Sequence, residues 1–251
     1  MMDPSARITW EIREGIGILM LNNPPRNCLY EPGFILPETL RSWLSDDALK
    51  GVLIHGKGRH FSSGGDLARL YQLVSSGADM EQKLQEGHDV LRIFSELNLP
   101  LIAAIEGVCF GGGLELALIC DIRVAGENAL FAFPEIMHGL VPGMGGTVRL
   151  PAKVGMAKSM EMILSGDLVN AGEAKKISLV DHVVPRGESF RAAYSLLSRM
   201  TRGNHREIIR VVMKILRNST RIPAEEAIRE EVRLFCEMAV REARRRASES
   251  I

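Results

Sequence analysis

The sequence predicts an α/β fold with a mainly parallel sheet, followed by an all-helical C-terminal region. Three observations predict it. Short apolar runs with β character alternate with helix-like segments, the pattern of strand–helix–strand units. Glycines repeatedly separate a run from the helix after it, at 64–65 and again at 111–113. Near residue 185 the strand-like runs cease and helical spacing takes over.

In order, residues 8–12 and 17–21 read as strands joined by a Glu14-Gly15 turn, and two prolines set residues 22–26 as a loop. Helical spacing covers 34–44, where Pro37 must sit near the helix start because it has no N–H to donate. Residues 51–55 form a buried strand, and the glycine- and serine-rich stretch 56–65 a loop. A helix begins over 66–73, and 75–80 is a soft loop. In 82–97, Val90, Leu91, Phe94 and Leu97 share one face, and Pro100 ends the helix. Residues 101–105 are the next buried strand, 114–120 a helix, and 122–125 and 130–132 strands. A loop spans 139–146, helices 147–151, 153–164 and 171–177, and a strand 180–184. Residues 190–246 are nearly all helical, with breaks at 202–204 and 221–223. The division is therefore an α/β core over 1–185 and a helical region over 186–251.

The 251 residues, 46% hydrophobic and 25% charged, are those of an ordinary globular protein. Zero formal net charge argues against a general nucleic-acid or membrane binder. Residues 1–10 have no basic start with an apolar run, and no run approaches the roughly 18 residues of a membrane span. The expectation is a cytoplasmic protein with no signal peptide. Cys28, Cys109, Cys120 and Cys236 lack zinc or redox spacing, and no histidine pair has metal-ligand spacing, so no metal is expected.

Glu115 is the residue that asks for an explanation. It follows Gly111-Gly112-Gly113 in a stretch, 99–125, whose only charges are Glu106, Glu115, Asp121 and Arg123. A lone carboxylate there is costly to desolvate and persists when paired, protonated or used. Glu135, between Pro134 and Ile136-Met137, is placed in a similar way. Together they are candidates for acid–base work by paired carboxylates; the alternative is a structural ion pair with Arg123 or Arg149. Gly64-Gly65-Asp66 and Gly111-Gly112-Gly113 each separate a strand from a helix, where unpaired amides point outward. Either these are tight turns, or two amides converge on one oxygen as an oxyanion hole. Ser62-Ser63 lacks the Gly-x-Ser-x-Gly setting of a nucleophile, and no GxGxxG or Walker lysine is present. The basic run 241–246 reads as a solvated helix face or a contact for an anionic ligand or partner subunit.

These residues resemble the crotonase (enoyl-CoA hydratase/isomerase) family, most of all its hydratases. The likeness rests on His60-Phe61-Ser62-Ser63-Gly64-Gly65-Asp66-Leu67, Ile102-Ala103-Ala104-Ile105-Glu106-Gly107, Gly111-Gly112-Gly113-Leu114-Glu115-Leu116-Ala117, Cys120-Asp121, Pro134-Glu135, Leu140-Val141-Pro142-Gly143-Met144-Gly145-Gly146-Thr147 and Arg149-Leu150. It runs from about residue 8 to 184. The resemblance implies a crotonase-like spiral of ββα units, with a C-terminal all-helical region that builds trimers, often paired into hexamers. It implies an acyl-CoA thioester substrate and no separate cofactor, since CoA is part of the substrate. The Gly65 and Gly112 amides would hold the thioester oxygen. Glu115 would activate water for attack at the β-carbon, and Glu135 would deliver a proton to the α-carbon. Having both favours hydration of a 2-enoyl-CoA, as in fatty acid metabolism. Asp121 would be a supporting residue. Substrate-binding positions would be Arg26, placed to meet a phosphate, with Cys28, Ser63, Gly64, Asp66, Leu67, Gly111, Pro134 and Gly143.

Three departures stand out: Gly65 where many hydratases have alanine, Tyr30-Glu31-Pro32-Gly33 after the family's Asn-x-Leu, and a tail over 235–246 without the family's Glu-Gly-x-x-Ala-Phe pattern. Isomerisation, decarboxylation or C–C hydrolysis on the same scaffold is the nearest alternative. An oligomeric RNA- or protein-binding relative using the arginine-rich tail is the alternative of another class, and nucleic acid is disfavoured by the neutral charge. Pocket walls are expected from 80–91 and 137–144.

Overall fold

In the computed structural model, which describes residues 7–249, the strands are β1 (Ile8–Arg13), β2 (Ile16–Leu21), β3 (Gly51–Gly56), β4 (Leu101–Ile105), β5 (Val108–Phe110), β6 (Ile122–Gly126), β7 (Leu130–Ala132), β8 (Val169–Asn170) and β9 (His182–Val184). Residues 1–6 of the stretch read for a signal peptide lie outside the described residues. A six-stranded sheet has the order β1-β2-β3-β4-β6-β9, antiparallel only at β1–β2 and parallel elsewhere. A second sheet has the order β5-β7-β8.

The chain alternates between the two sheets. β4 lies in the large sheet, and after the Glu106-Gly107 corner β5 lies in the small one. β6 and β7 repeat the step, and beyond β3 Ser62 bridges Cys109 of β5 in the same sense. This is the crotonase spiral of ββα units. Its corners are tight: Gly107 has φ +53°, and a Cβ there would lie 2.4 Å from the Arg59 carbonyl oxygen.

Helices cover both faces of the large sheet. They are α1 (Pro37–Leu44), α2 (Leu67–Ser75), α3 (Met80–Glu96), α4 (Gly112–Leu118), α5 (Gly146–Arg149), α6 (Pro151–Val154), α7 (Met156–Ser165), α8 (Ala171–Lys176), α9 (Ser189–Thr201), α10 (Arg206–Asn218) and α11 (Ala224–Glu249), with a 3-10 turn at Pro134–His138. Strand alternation decides the faces. Leu101, Ala103 and Ile105 enter the main core with Val90, Leu91 and Phe94 of α3. Ile102 and Ala104, with Ile18, Leu53 and Val124, pack against Ala193 and Leu197 of α9. Burying each such leucine or isoleucine contributes about 1.5–3 kcal/mol.

Some elements differ from the expectation. The helix expected over 153–164 is split by Gly155 at φ +80° into α6 and α7. Asp79 caps α3, accepting from the Gln82 amide at 3.0 Å, so this helix starts inside the expected loop. β5, β8 and the 3-10 turn are too short to show a period in sequence.

Asp121, expected to support the chemistry, has a structural place. Its carboxylate accepts from the Leu101 amide at 2.8 Å and pairs with Arg217 of α10 at 3.1 Å. Arg217 also donates to the carbonyls of Ser95, Leu97 and Leu99, pinning α10 beside the start of β4. Arg123 does similar work inside the core. It is buried and donates to the carbonyls of Leu179 and Cys120 and to Asp181. We expect Arg123→Ala to lower folding stability by roughly 2–4 kcal/mol, because it strands buried carbonyls. Urea denaturation would measure it, and an unchanged midpoint would contradict this role.

Candidate active site

A cavity of about 850 Å³ opens between α2, the start of α3, the N-terminus of α4 and the segment 134–144. Glu115, in the first turn of α4, lies at its wall and is buried. One oxygen, Oε1, accepts the Met144 amide at 2.7 Å and the Gly146 amide at 2.8 Å. Neither arginine considered as a structural partner takes it. Arg123 binds Asp181, and Arg149 donates to the Met144 carbonyl at 2.6 Å. Burial pushes the Glu115 carboxyl above the ordinary value; the two amides and the Arg149 charge oppose that push.

Glu135 sits in the 3-10 turn, which starts on Pro134 and ends at Gly139 with φ +69°. Its Oε2 is buried and has no hydrogen-bond partner among the described residues. Burial pushes this carboxyl up to about 7; its own backbone amide opposes the shift and the Glu115 charge adds to it. The corner beneath it requires glycine. Gly111 has φ +47°, and a Cβ there would lie 2.5 Å from Glu135 Oε1.

Two free amides lie beside the carboxylates. Gly65 and Gly112 both line the cavity, and neither N–H donates to a protein group among the described residues. They are near neighbours, since a Cβ on Gly112 would be 3.6 Å from the Gly65 nitrogen. Two unoccupied donors and two carboxylates therefore share one wall, an arrangement suited to polarising a carbonyl and moving protons next to it.

Comparison with known proteins identifies the family. Residues 11–250 match the family Enoyl-CoA hydratase/isomerase. The protein belongs to that family. Over 231 residues it is 35% identical to the 2,3-dehydroadipyl-CoA hydratase of Escherichia coli K12, covering 90% of this chain and 88% of that one. It is 32% identical to a Dictyostelium discoideum protein named "Probable enoyl-CoA hydratase, mitochondrial", covering 90% and 81%. Among solved structures, an enoyl-CoA hydratase of Polaromonas sp. JS666 superposes with a TM-score of 0.84 at 25% identity, covering 92% and 90%. A Thermobifida fusca YX protein crystallised in complex with CoA gives 0.84 at 25%, covering 96% and 95%. The chain is an enzyme of the hydratase type.

The other family positions fall around the same cavity. Arg26, Cys28, Ser63, Asp66, Leu67, Gly111, Pro134 and Gly143 all line it. Gly64 does not; its amide donates to Ser62 Oγ and its carbonyl accepts from Leu29, so it shapes the corner that exposes Gly65. Cys28 Sγ lies 3.2 Å from Ser63 Oγ. Arg26 is exposed. Its loop is held by Asn27, the Asn of the Asn-x-Leu pattern, which is fully buried at φ +50° and donates to the carbonyls of Lys57 and His60. Asn tolerates this left-handed backbone, which suits it to the position.

The walls also differ in part from expectation. Met80, Leu84, Leu140 and Met144 contribute as expected, but Leu91 is a core residue. Much of the apolar lining comes from α2, through Leu70, Leu73 and Val74, which had not been assigned to the pocket. Among the described residues no group of three or more His, Cys, Asp or Glu side chains could hold a metal ion, and no helix is long and apolar enough to cross a membrane.

The raised Glu135 carboxyl makes stability depend on pH. For an acid whose folded value lies above its unfolded one, the contribution is complete below the ordinary 4.5 and is lost as pH rises through about 7. Glu135→Gln should therefore gain stability relative to the parent at about pH 8, by roughly 1–3 kcal/mol, with the gain vanishing near pH 4.5. Chemical denaturation at both pH values checks this, and a pH-independent difference would refute it.

Proposed function

We propose that the protein hydrates a 2-enoyl-CoA thioester to a 3-hydroxyacyl-CoA. The observation that carries this reading is the pairing of two differently held carboxylates beside two free amides. The thioester oxygen accepts from the Gly65 and Gly112 N–H groups, which stabilise the enolate-like charge. A water sits between the glutamates. Glu115, whose amide partners favour its charged form, takes a proton from the water as its oxygen bonds to the β-carbon. Glu135, whose carboxyl is pushed up to about 7, gives its proton to the α-carbon. One water is added across the double bond, and exchange with solvent returns the proton from Glu115 to Glu135. No cofactor enters, because the thioester itself supplies the electron sink. Arg26 is placed to meet a CoA phosphate, while Cys28, Ser63, Asp66 and Leu67 line the approach.

We also propose that residues 186–251 serve oligomerisation, as a homotrimer or a pair of trimers. Supporting this, α10 and α11 expose Val212, Leu216, Ile228, Val232 and Phe235, more apolar surface than two helices facing water need. The tail arginines do not favour a nucleic-acid role. Arg241 pairs with Glu207, and Arg245 and Arg246 pair with Glu242.

Incubation with crotonyl-CoA should remove the conjugated thioester absorbance and add the mass of one water. Glu115→Gln and Glu135→Gln should each lower kcat by about 10²-fold or more. Near-parental turnover in both variants would sink the assignment, and a product of unchanged mass would redirect it to isomerisation. In the parent, kcat should fall as pH rises through about 7, where Glu135 loses its proton.

A further inference from the structure

The segment 30–33, which departs from the family pattern, forms part of the cavity wall through Tyr30, Glu31 and Pro32. Glu31 is largely buried there. Its Oε1 accepts from Arg69 Nε at 3.1 Å and Nη2 at 2.6 Å, and Oε2 lies 3.5 Å from Lys83 Nζ. Lys83 is also bound by Glu86 at 2.9 Å. The Arg69 guanidinium lies 5.0 Å from the Tyr30 ring centroid, and Arg7 3.9 Å from it. Pro32 presses on α3, where a Cβ at Gly87 would meet its carbonyl oxygen at 2.8 Å. Burial opposes ionisation of Glu31, but Arg69 and Lys83 outweigh it and hold the carboxyl below its ordinary value.

Of this network Tyr30, Glu31 and Pro32 reach the cavity; Arg69 and Lys83 do not line it, and their charges are taken by Glu31 and Glu86. The rest of the lining adds the acidic side chains of Asp66, which caps α2, and of Glu115 and Glu135, the latter pushed toward its neutral form, against one cation of the Lys or Arg type, Arg26, on the exposed loop two residues before Cys28. A carboxylate on the acyl group would therefore lose its water and find like charge in place of a partner.

We infer that Glu31 is a specificity-determining residue: by occupying Arg69 and Lys83 and placing its own carboxylate in the wall, it reserves the site for thioesters with uncharged acyl groups and rejects those ending in a carboxylate. This rests on the hydratase reading. The test compares six-carbon thioesters that differ only at the far end. Calorimetry on the parent protein with hexanoyl-CoA and adipyl-CoA should show tighter binding of hexanoyl-CoA by about tenfold or more. Equal affinity, or preference for adipyl-CoA, overturns this inference and leaves the hydratase reading intact. Failure of hexanoyl-CoA itself to bind overturns both. In Glu31→Gln, which keeps an acceptor for Arg69 but removes the charge, the preference for hexanoyl-CoA and the matching kcat/KM preference for the 2-enoyl pair should shrink by about tenfold. Loss of both activities in proportion, with the ratio unchanged, would mean that Glu31 only braces the wall, and would overturn the inference.

Discussion

The centre of this molecule depends on a single carboxylate oxygen that accepts two backbone N–H groups. Glu115 Oε1 binds the amides of Met144 and Gly146, and so joins α4 to a loop with no strand or long helix to hold it. Burying a charged carboxylate costs several kcal/mol, and a hydrogen bond to a charged group returns about 1.5–3 kcal/mol. Two such bonds make the burial tolerable without an ion pair. The geometry has further consequences. Gly146 must approach closely, since a Cβ there would lie 3.1 Å from the same oxygen and 2.7 Å from Phe133. The loop so held continues from the 3-10 turn that carries Glu135, so one anchoring contact helps to place both carboxylates.

The two glutamates then differ because of their surroundings. Glu115 is compensated by amides on one oxygen; Glu135 has a buried oxygen with no partner and feels the charge of Glu115. Burial pushes both carboxyls up, but only Glu115 has amides that favour its charged form, so the two groups are held unequally. The ion pairs considered from sequence would have erased this difference, and the fold avoids them by directing Arg123 to Asp181 and Arg149 to the Met144 carbonyl.

How much of this was legible in the sequence follows from the range of each cause. Glu115 was legible because a charge in an apolar stretch is a local anomaly; the glycine runs at 64–65 and 111–113 were legible only as turns that can expose amides, and it took the family resemblance to single out Gly65 and Gly112. Most long strands and helices carried their own period. β5 and β8 did not, having three and two residues, and their pairing is set by the spiral and not by local pattern. For Asp121 the motif position did not reveal the partner it braces, Arg217, 96 residues away. The α2 wall was invisible for a related reason: the direction of Leu70, Leu73 and Val74 depends on where Glu31 and Arg69 tie that helix.

The way each wall is fastened separates chemistry from selectivity. Glu115 and Gly112 stand on α4, which is buried throughout and packs through Leu114, Leu116 and Ala117, so displacing that helix would open a void at a cost of several kcal/mol. The wall formed by α2 and the start of α3 is fastened mainly by partly buried ionic contacts through Glu31, Arg69 and Lys83, and Leu73 is the one buried residue of α2. Contacts of that kind hold about 1 kcal/mol or less apiece and yield readily to substitution. The two walls are therefore fastened independently: α4 is fixed by core packing, whereas the ionic wall at positions such as 30–33 can be rewired without disturbing Glu115 or Glu135.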